Sequence, residues 1–570
     1  MLKEAILEYI EENNLSLFNG KTRMRGSLGI FKTVDAKLVH GRLVEKLSKE
    51  FCFDDSESLL NFFSFTQDLE EIKRRQDFFK AINPSDNELL KKLSCPKAIW
   101  KPKYDVLVVT EDESTFIELK KLNCPVRYIT SEEDLKELED CDIVQVLECE
   151  QFKRVLETLP QSVILDSLDE AYLERYLEQL SGWNDNMNIL KEINNDDIKK
   201  IVDELSPLFL LIGEKNVKKY SKDEIEKVLE EINSRISERI KGLSISGEVL
   251  VQVLSKRLPA ELEKIAEEEI KTSGLPEHLF CVGIPVCLEE QEVNRFMKHQ
   301  SAEEHTSVAE AIKKHARLLK EVPEKLRMLE NLVLYYDFMA GVYKFVKEFN
   351  SFPVYSNEFL MENSKNVFLT DAQAVSFKLD ESSRCSILTG ANSGGKTTLL
   401  EHILQLISLS NFGLPVSGKL KLPLFTEIYY FAKNKGSMSK GAFETLLGQM
   451  AEIKTGRQTL ILADEMEAVT EPGVAGKIVN ATAEFFINKG CFLIIATHLG
   501  QEIQKHLPKN ARVDGIEAKG LDENFELIID RNPILGKIAS STPELIVEKL
   551  ANTKKEEYFA YLHNYLRNSN

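Results

Sequence analysis

Lys396 and Thr397 close a run of small residues, Gly390, Ala391, Asn392, Ser393, Gly394 and Gly395. Glycines spaced in this way let backbone N–H groups turn inward around phosphate oxygens, while the lysine reaches the β- and γ-phosphates and the hydroxyl ligates Mg²⁺. Thr398 opens the segment that follows, where a helix N-terminus would add partial positive charge. The implied chemistry is binding of ATP. Asp464 and Glu465 follow the apolar run 460–463. The first is suited to holding Mg²⁺ together with Thr397, and the second to polarising the water that attacks the γ-phosphate. His498 follows a second apolar run, 492–496, and can hydrogen-bond the γ-phosphate or that water. Glu465 and His498 are the expected catalytic groups, with ATP as substrate and Mg²⁺ as cofactor.

Such groups work only at the ends of rigid elements. Residues 385–389 (CSILT) read as a buried strand leading into the glycine loop, and 460–463 and 492–496 are strands of the same kind. Upstream, DVLVVT, PVRYIT, DIVQVL and SVILDS alternate with helical segments, which predicts a compact α/β domain with a parallel sheet over residues 101–182. Apolar residues at three- and four-residue spacing (Leu43, Leu47; Leu59, Phe62, Phe63; Leu69, Ile72) predict helices between residues 35 and 82. Residues 183–350 are helical again but carry sparse apolar positions, which suits extended arms better than a compact bundle.

A chain of 570 residues exceeds what one core supports, so several domains are expected. With 43% hydrophobic and 29% charged residues it has a globular composition, and its apolar stretches are too short to span a bilayer. Residues 1–13 lack a signal-peptide pattern, so the cytoplasm is the expected compartment. Nine cysteines without any CxxC spacing point to reduced thiols, not to a disulfide or zinc framework. A net charge of -19 excludes a uniformly basic nucleic-acid coat, so any DNA contact must be local. The one basic stretch, 21–49, sets Lys21, Arg23, Arg25, Lys32, Lys37, Arg42, Lys46 and Lys49 against Asp35 and Glu45. It is either a phosphate-contacting segment or a solvated helix face.

The order of glycine loop, Asp-Glu pair and strand-end histidine is that of ABC-type ATPases. The sequence resembles the MutS family of DNA mismatch repair protein-like ABC ATPases through TGANSGGKTTLL, ADEMEAVTEPGVAG and IIATHLGQEI. More weakly, GSLGIFKTVDAKLVHGRLVEKLSKE and IKRRQDFFKAI resemble the start of its core lever domain. Thr470-Glu471-Pro472 is closer to the second MutS group than to the mismatch-repair enzymes proper. The resemblance implies an α/β and all-α multidomain fold. Its parts are an N-terminal helical core segment (1–100), an inserted α/β domain (101–182), a helical lever or clamp region (183–350) and an ABC-type P-loop ATPase domain with a helical tail (351–570). It further implies that Phe368 stacks on adenine, and that two copies form a homodimer in which each site is completed by a signature loop from the other. Residues 436–443 (GSMSKGAF) lie where that loop should be, with Ser439 and Gly441 offering a hydroxyl and N–H groups, although the family's STF pattern is absent.

Core-like sequence before residue 50 leaves no room for the family's mismatch-recognition domains, and the chain ends at Asn570 without a Smr-type nuclease domain. The only Phe-x-Glu upstream of the ATPase segment, Phe116-Ile117-Glu118, falls in a predicted helix, and Asp105, Glu111, Asp112 and Asp166 read as surface carboxylates. Two functions follow as expectations. One is a MutS-like ATPase that binds double-stranded DNA without recognising mismatches. The other is an ABC-type mechanical or regulatory ATPase that acts on a protein partner, with no part for DNA.

Overall fold

A computed structural model of the chain describes residues 2–18, 20, 29–82, 86–213, 220–241, 258–349, 351–390, 394–433, 440–466, 472–522, 527–539, 543–554 and 556–568. It divides into two compact units, Leu93–Leu329 and the combination of Met1–Lys92 with Glu330–Asn570. No described helix is long and apolar enough to cross a membrane.

In the unit Leu93–Leu329, strands β1 (Val106–Thr110), β2 (Val126–Tyr128), β3 (Ile143–Val146) and β4 (Ser162–Ile164) form a parallel sheet in the order β2-β1-β3-β4. Their Val- and Ile-rich runs are those of strands covered on both faces. Val108, Ile143 and Leu119 pack on one side, and Val109, Val144 and Leu138 on the other. Asp112 caps the helix Glu113–Lys121, which holds Phe116, and Glu111 accepts the backbone N–H groups of Glu150, Gln151 and Phe152. These two carboxylates therefore close turns.

The charged helices of this unit depart from the expectation of bare arms. Lys222–Lys241, Ala260–Lys271 and the start of Glu290–Lys314 share a core of Ile225, Ile232, Ala266, Ile270 and Val293. A two-stranded hairpin, β5 (Phe280–Cys281) and β6 (Cys287–Leu288), completes it with Phe280, flanked by Leu279 and Val286. The helical pattern missed this core because part of its apolar surface comes from outside the helices.

In the other unit, β7 (Val354–Tyr355), β8 (Phe359–Ser364), β9 (Val375–Leu379) and β11 (Lys419–Leu422) form one sheet in the order β7-β11-β8-β9. The second sheet has the order β12-β13-β14-β10-β15-β16. It contains β10 (Cys385–Gly390), β12 (Glu427–Phe431), β13 (Thr459–Asp464), β14 (Phe492–Ala496), β15 (Ala511–Leu521) and β16 (Leu527–Leu535). All its pairings are parallel except β15 with β16. The helix Lys396–Phe412 leaves β10 and is buried along most of its length.

The N-terminal segment is built into this second unit. Phe31 bridges Ile428 in parallel, Thr33 Oγ1 donates to Tyr430 O at 2.8 Å, and Asp35 accepts the Ala432 N–H at 2.9 Å. Asp337, fully buried, accepts from Cys52 N, Ser56 Oγ and Asn87 Nδ2, which satisfies a charge that would otherwise be costly to bury. These contacts tie part of the basic stretch to its own unit. Lys32 pairs with Glu427 at 3.6 Å, Arg42 with Glu401 at 2.7 Å and Lys49 with Glu45 at 3.5 Å, while Lys46 donates to the Val367 carbonyl. Lys37 is exposed, and Lys21, Arg23 and Arg25 lie outside the described residues. The helix Val34–Ser48 thus spends much of its charge on its own unit, because its apolar face (Ala36, Val39, Leu43, Leu47) docks there and brings the cations with it.

Candidate nucleotide site

The ends of β10, β13 and β14 and the first turn of Lys396–Phe412 converge. Gly390 closes β10 with φ +139, and a Cβ there would meet Ile516 O at 2.5 Å, so only glycine fits. Ala391, Asn392 and Ser393 lie outside the described residues. Gly394 leads into Gly395, which caps the helix with φ +91. Lys396 is 3% exposed and donates from Nζ to Gly390 O at 2.6 Å, so the lysine head is held against the end of β10.

Thr397 Oγ1 donates to Asp464 Oδ2 at 2.5 Å. Asp464 is 4% exposed, and its second oxygen, Oδ1, is buried without a hydrogen-bond partner. Burial lifts its pKa above the usual carboxylate range, against the hydrogen bond from Thr397. A buried carboxylate oxygen with an open lone pair, beside a hydroxyl, fits Mg²⁺, which takes one or two protein oxygens and completes its shell with water and phosphate. Among the described residues no cluster of three or more His, Cys, Asp or Glu is placed to hold a metal ion.

Glu465, next along, has φ +50, a left-handed conformation that costs a non-glycine residue of order 1–3 kcal/mol and recurs at functional sites. Its N–H donates to Ala496 O at 2.9 Å. The β13/β14 register pairs Asp464 with Ala496, so His498 arrives beside Glu465, with Nε2 2.7 Å from Oε1. The other carboxylate oxygen, Oε2, is in an ion pair with Lys433. Burial pushes Glu465 up, but the Lys433 ammonium and His498 outweigh it and hold the carboxyl below its ordinary range. Nothing in the sequence singles out Lys433. The signal is the register of β12 against β13, which pairs Phe431 with Ala463 and so carries Lys433 to Glu465.

Phe368 is half-buried beside the helix Lys396–Phe412. Asn366 Nδ2 donates to Thr398 O at 3.3 Å, and Val367 N donates to Gln405 Oε1 at 3.1 Å, which fixes its loop to the helix. The Arg42 guanidinium carbon lies 4.9 Å from the Phe368 ring centroid, a cation–π contact that the sequence reading did not anticipate. Ser439 lies outside the described residues, and of Gly441 only its backbone position in the helix Lys440–Ala451 is described.

Sheets of parallel strands in both units, with a glycine loop after β10 and paired carboxylates at the end of β13, across β14 in the same sheet, define a mixed α/β multidomain protein. No family model matches the chain. It is 32% identical to the "DNA-binding protein MutS2" of Pyrococcus furiosus, over 92% of this chain and 97% of that protein, and so belongs to the MutS family. It is 24% identical to the "Endonuclease MutS2" of Enterococcus faecalis, over 62% of this chain and 46% of that protein. To the "DNA mismatch repair protein MutS" of Thermotoga maritima it is 28% identical, over 36% of this chain and 26% of that protein. The chain thus spans nearly all of the archaeal relative and less than half of either bacterial one.

Proposed function

We propose that the chain is an ABC-type ATPase that binds duplex DNA without recognising mismatches and works as a homodimer in the cytoplasm. The observation that carries this reading is the paired strand-end geometry, in which Thr397 meets Asp464 while His498 meets Glu465 one residue away. Lys396 and the loop amides bind the triphosphate, and Phe368 stacks on adenine. Thr397 and Asp464 would hold Mg²⁺, which when bound would neutralise charge on the phosphate oxygens. Glu465, kept anionic by Lys433, takes the proton of the attacking water, and His498 orients that carboxylate. Ser439 and Gly441 reach the site of the second copy. In this reading residues 1–100 and 183–350 form the core and lever, 101–182 the inserted domain and 351–570 the engine. The names of the archaeal and bacterial relatives support DNA as the partner.

The depressed Glu465 carboxyl gives a pH prediction. Its folded-state pKa lies below the ordinary value, so the base stays ionised further into acid than a free carboxylate would. Lys433→Met removes the hydrogen bond that lowers this carboxyl most, raises that pKa, and should move the acid limb of the kcat profile to higher pH while leaving the neutral plateau nearly unchanged. An acid limb that stays in place would separate Lys433 from the base.

DNA binding is tested by gel-shift titration with matched and G·T-mismatched duplexes, with and without ATP. Phosphate contacts give affinity without sequence information, so the two duplexes should bind nearly equally. Affinity should fall by about 10²-fold or more from low to physiological salt. A clear preference for the mismatch would refute the reading. A second reading, a mechanical ATPase acting on a protein partner, is favoured by the internal pairing of Lys32 and Arg42, which removes cations otherwise free for phosphate. Failure to bind any duplex at low salt would establish it instead.

A further inference from the structure

In the hairpin of the unit Leu93–Leu329, Cys281 stands directly opposite Cys287, and Phe280 opposite Leu288. Successive residues of a strand face opposite sides, so each cross-strand pair shares a side. Phe280 is buried in the helical core with Leu288 packed against it, which turns the two thiols together toward solvent, and both cysteines are exposed. Glu289 N donates to Leu279 O at 2.9 Å, which makes 279 and 289 a hydrogen-bonded pair. By the alternation of an antiparallel ladder, Cys281 and Cys287 are again a hydrogen-bonded pair, with Cα atoms about 5.5 Å apart. That lies within the span of roughly 4.4–6.8 Å that a disulfide bridges.

The register is held firmly. Asn233 Nδ2 donates to Val286 O at 3.0 Å, and Val286 N donates to Asn233 Oδ1 at 2.8 Å, clamping the loop 282–286 to the helix Lys222–Lys241. A carboxylate completes the arrangement, since Cys281 Sγ donates to Glu289 Oε2 at 2.7 Å.

We propose that Cys281, Cys287 and Glu289 form a reversible thiol–disulfide site that reacts with hydroperoxides. The Cys287 thiolate attacks the terminal peroxide oxygen, the O–O bond breaks, the leaving oxygen departs as hydroxide or alkoxide and is protonated by water, and Cys287 becomes a sulfenic acid. Cys281 then gives its proton to Glu289, its sulfur attacks Sγ of Cys287, the S–O bond breaks, and water leaves with the proton returned from Glu289. Two thiols and one hydroperoxide thus become a disulfide, one water and one water or alcohol, and a small dithiol reverses the change. The hydrogen bond to Glu289 holds the Cys281 thiol above its usual pKa, which leaves Cys287 to attack first and Cys281 to resolve. The site is independent of the proposed nucleotide chemistry. Its bond would staple the hairpin that supplies Phe280 to the helical core.

The test treats the full chain with equimolar hydrogen peroxide, alkylates the remaining thiols and maps peptides by mass. The expected product is a single intrachain Cys281–Cys287 link with a loss of about 2 Da and reversal by dithiothreitol. Cys95, the third exposed cysteine, should stay alkylatable and serves as the control. In Cys281→Ser, Cys287 should stop as a sulfenic acid trapped by a cyclic 1,3-dione. Glu289→Gln should slow closure of the disulfide about tenfold or more. Links through Cys95, or Cys281 and Cys287 both recovered as free thiols, would overturn the site. An unchanged closure rate in Glu289→Gln would overturn the role of Glu289.

Discussion

Lys396→Ala is expected to abolish ATP hydrolysis, with a loss of about 10³-fold or more and a matching fall in nucleotide affinity. The size of the effect follows from burial. Lys396 is 3% exposed, so its ammonium acts where water screens little, and the phosphate charge it meets is worth far more than at a surface. Neighbouring cations are placed differently. Lys433 is committed to Glu465, and Arg531 lays the Cγ and Cδ of its stem beside Gly395, at 3.8 and 3.7 Å from where a Cβ would stand. Lys396→Arg should fail as well, since a planar, longer head cannot occupy a space shaped for a compact ammonium. Losing the lysine also leaves Gly390 O without this donor, at a cost of about 1–3 kcal/mol to stability. Thermal unfolding therefore accompanies single-turnover hydrolysis and fluorescent-nucleotide binding as the measurements. Wild-type hydrolysis in a folded Lys396→Ala protein would remove the loop from the chemistry.

The strand ends that carry Asp464, Glu465 and His498 were legible in the sequence, and the groups that reach them were not, for one physical reason. β10, β13 and β14 lie inside a parallel sheet, so each reads as an uninterrupted apolar run, and the residues that end such runs are the ones presented at the sheet edge. Asp464, Glu465 and His498 could be placed from local sequence alone. Lys433 and Arg42 could not, because their roles depend on register and on docking between segments far apart in the chain. Lys433 meets Glu465 only through the pairing of β12 with β13, and Arg42 meets Phe368 only because the helix Val34–Ser48 packs on its own unit. The same docking explains why a basic stretch that looked available for phosphate is partly consumed by Glu427 and Glu401. The hairpin of β5 and β6 was missed because strands of two residues carry no periodicity to read.

Glu465→Gln should retain ATP while slowing turnover by about 10²-fold or more, the contribution expected of a general base. Binding should survive because the groups proposed to hold the triphosphate and Mg²⁺ are untouched: Lys396 keeps its bond to Gly390 O, and Thr397 keeps its bond to Asp464. The amide is nearly isosteric with the carboxylate, so one oxygen can still accept from His498, and the left-handed backbone at φ +50 need not change. What disappears is the negative charge and with it the capacity to take a proton from water. Lys433 loses its ion-pair partner at the same time, and its charge then favours any phosphate within reach, so nucleotide affinity should hold or rise. The test separates the two quantities, with Kd for a slowly hydrolysed analogue measured beside the single-turnover rate of ATP. A fall in affinity with a normal single-turnover rate would assign Glu465 to nucleotide binding and leave His498 as the group to examine for proton transfer.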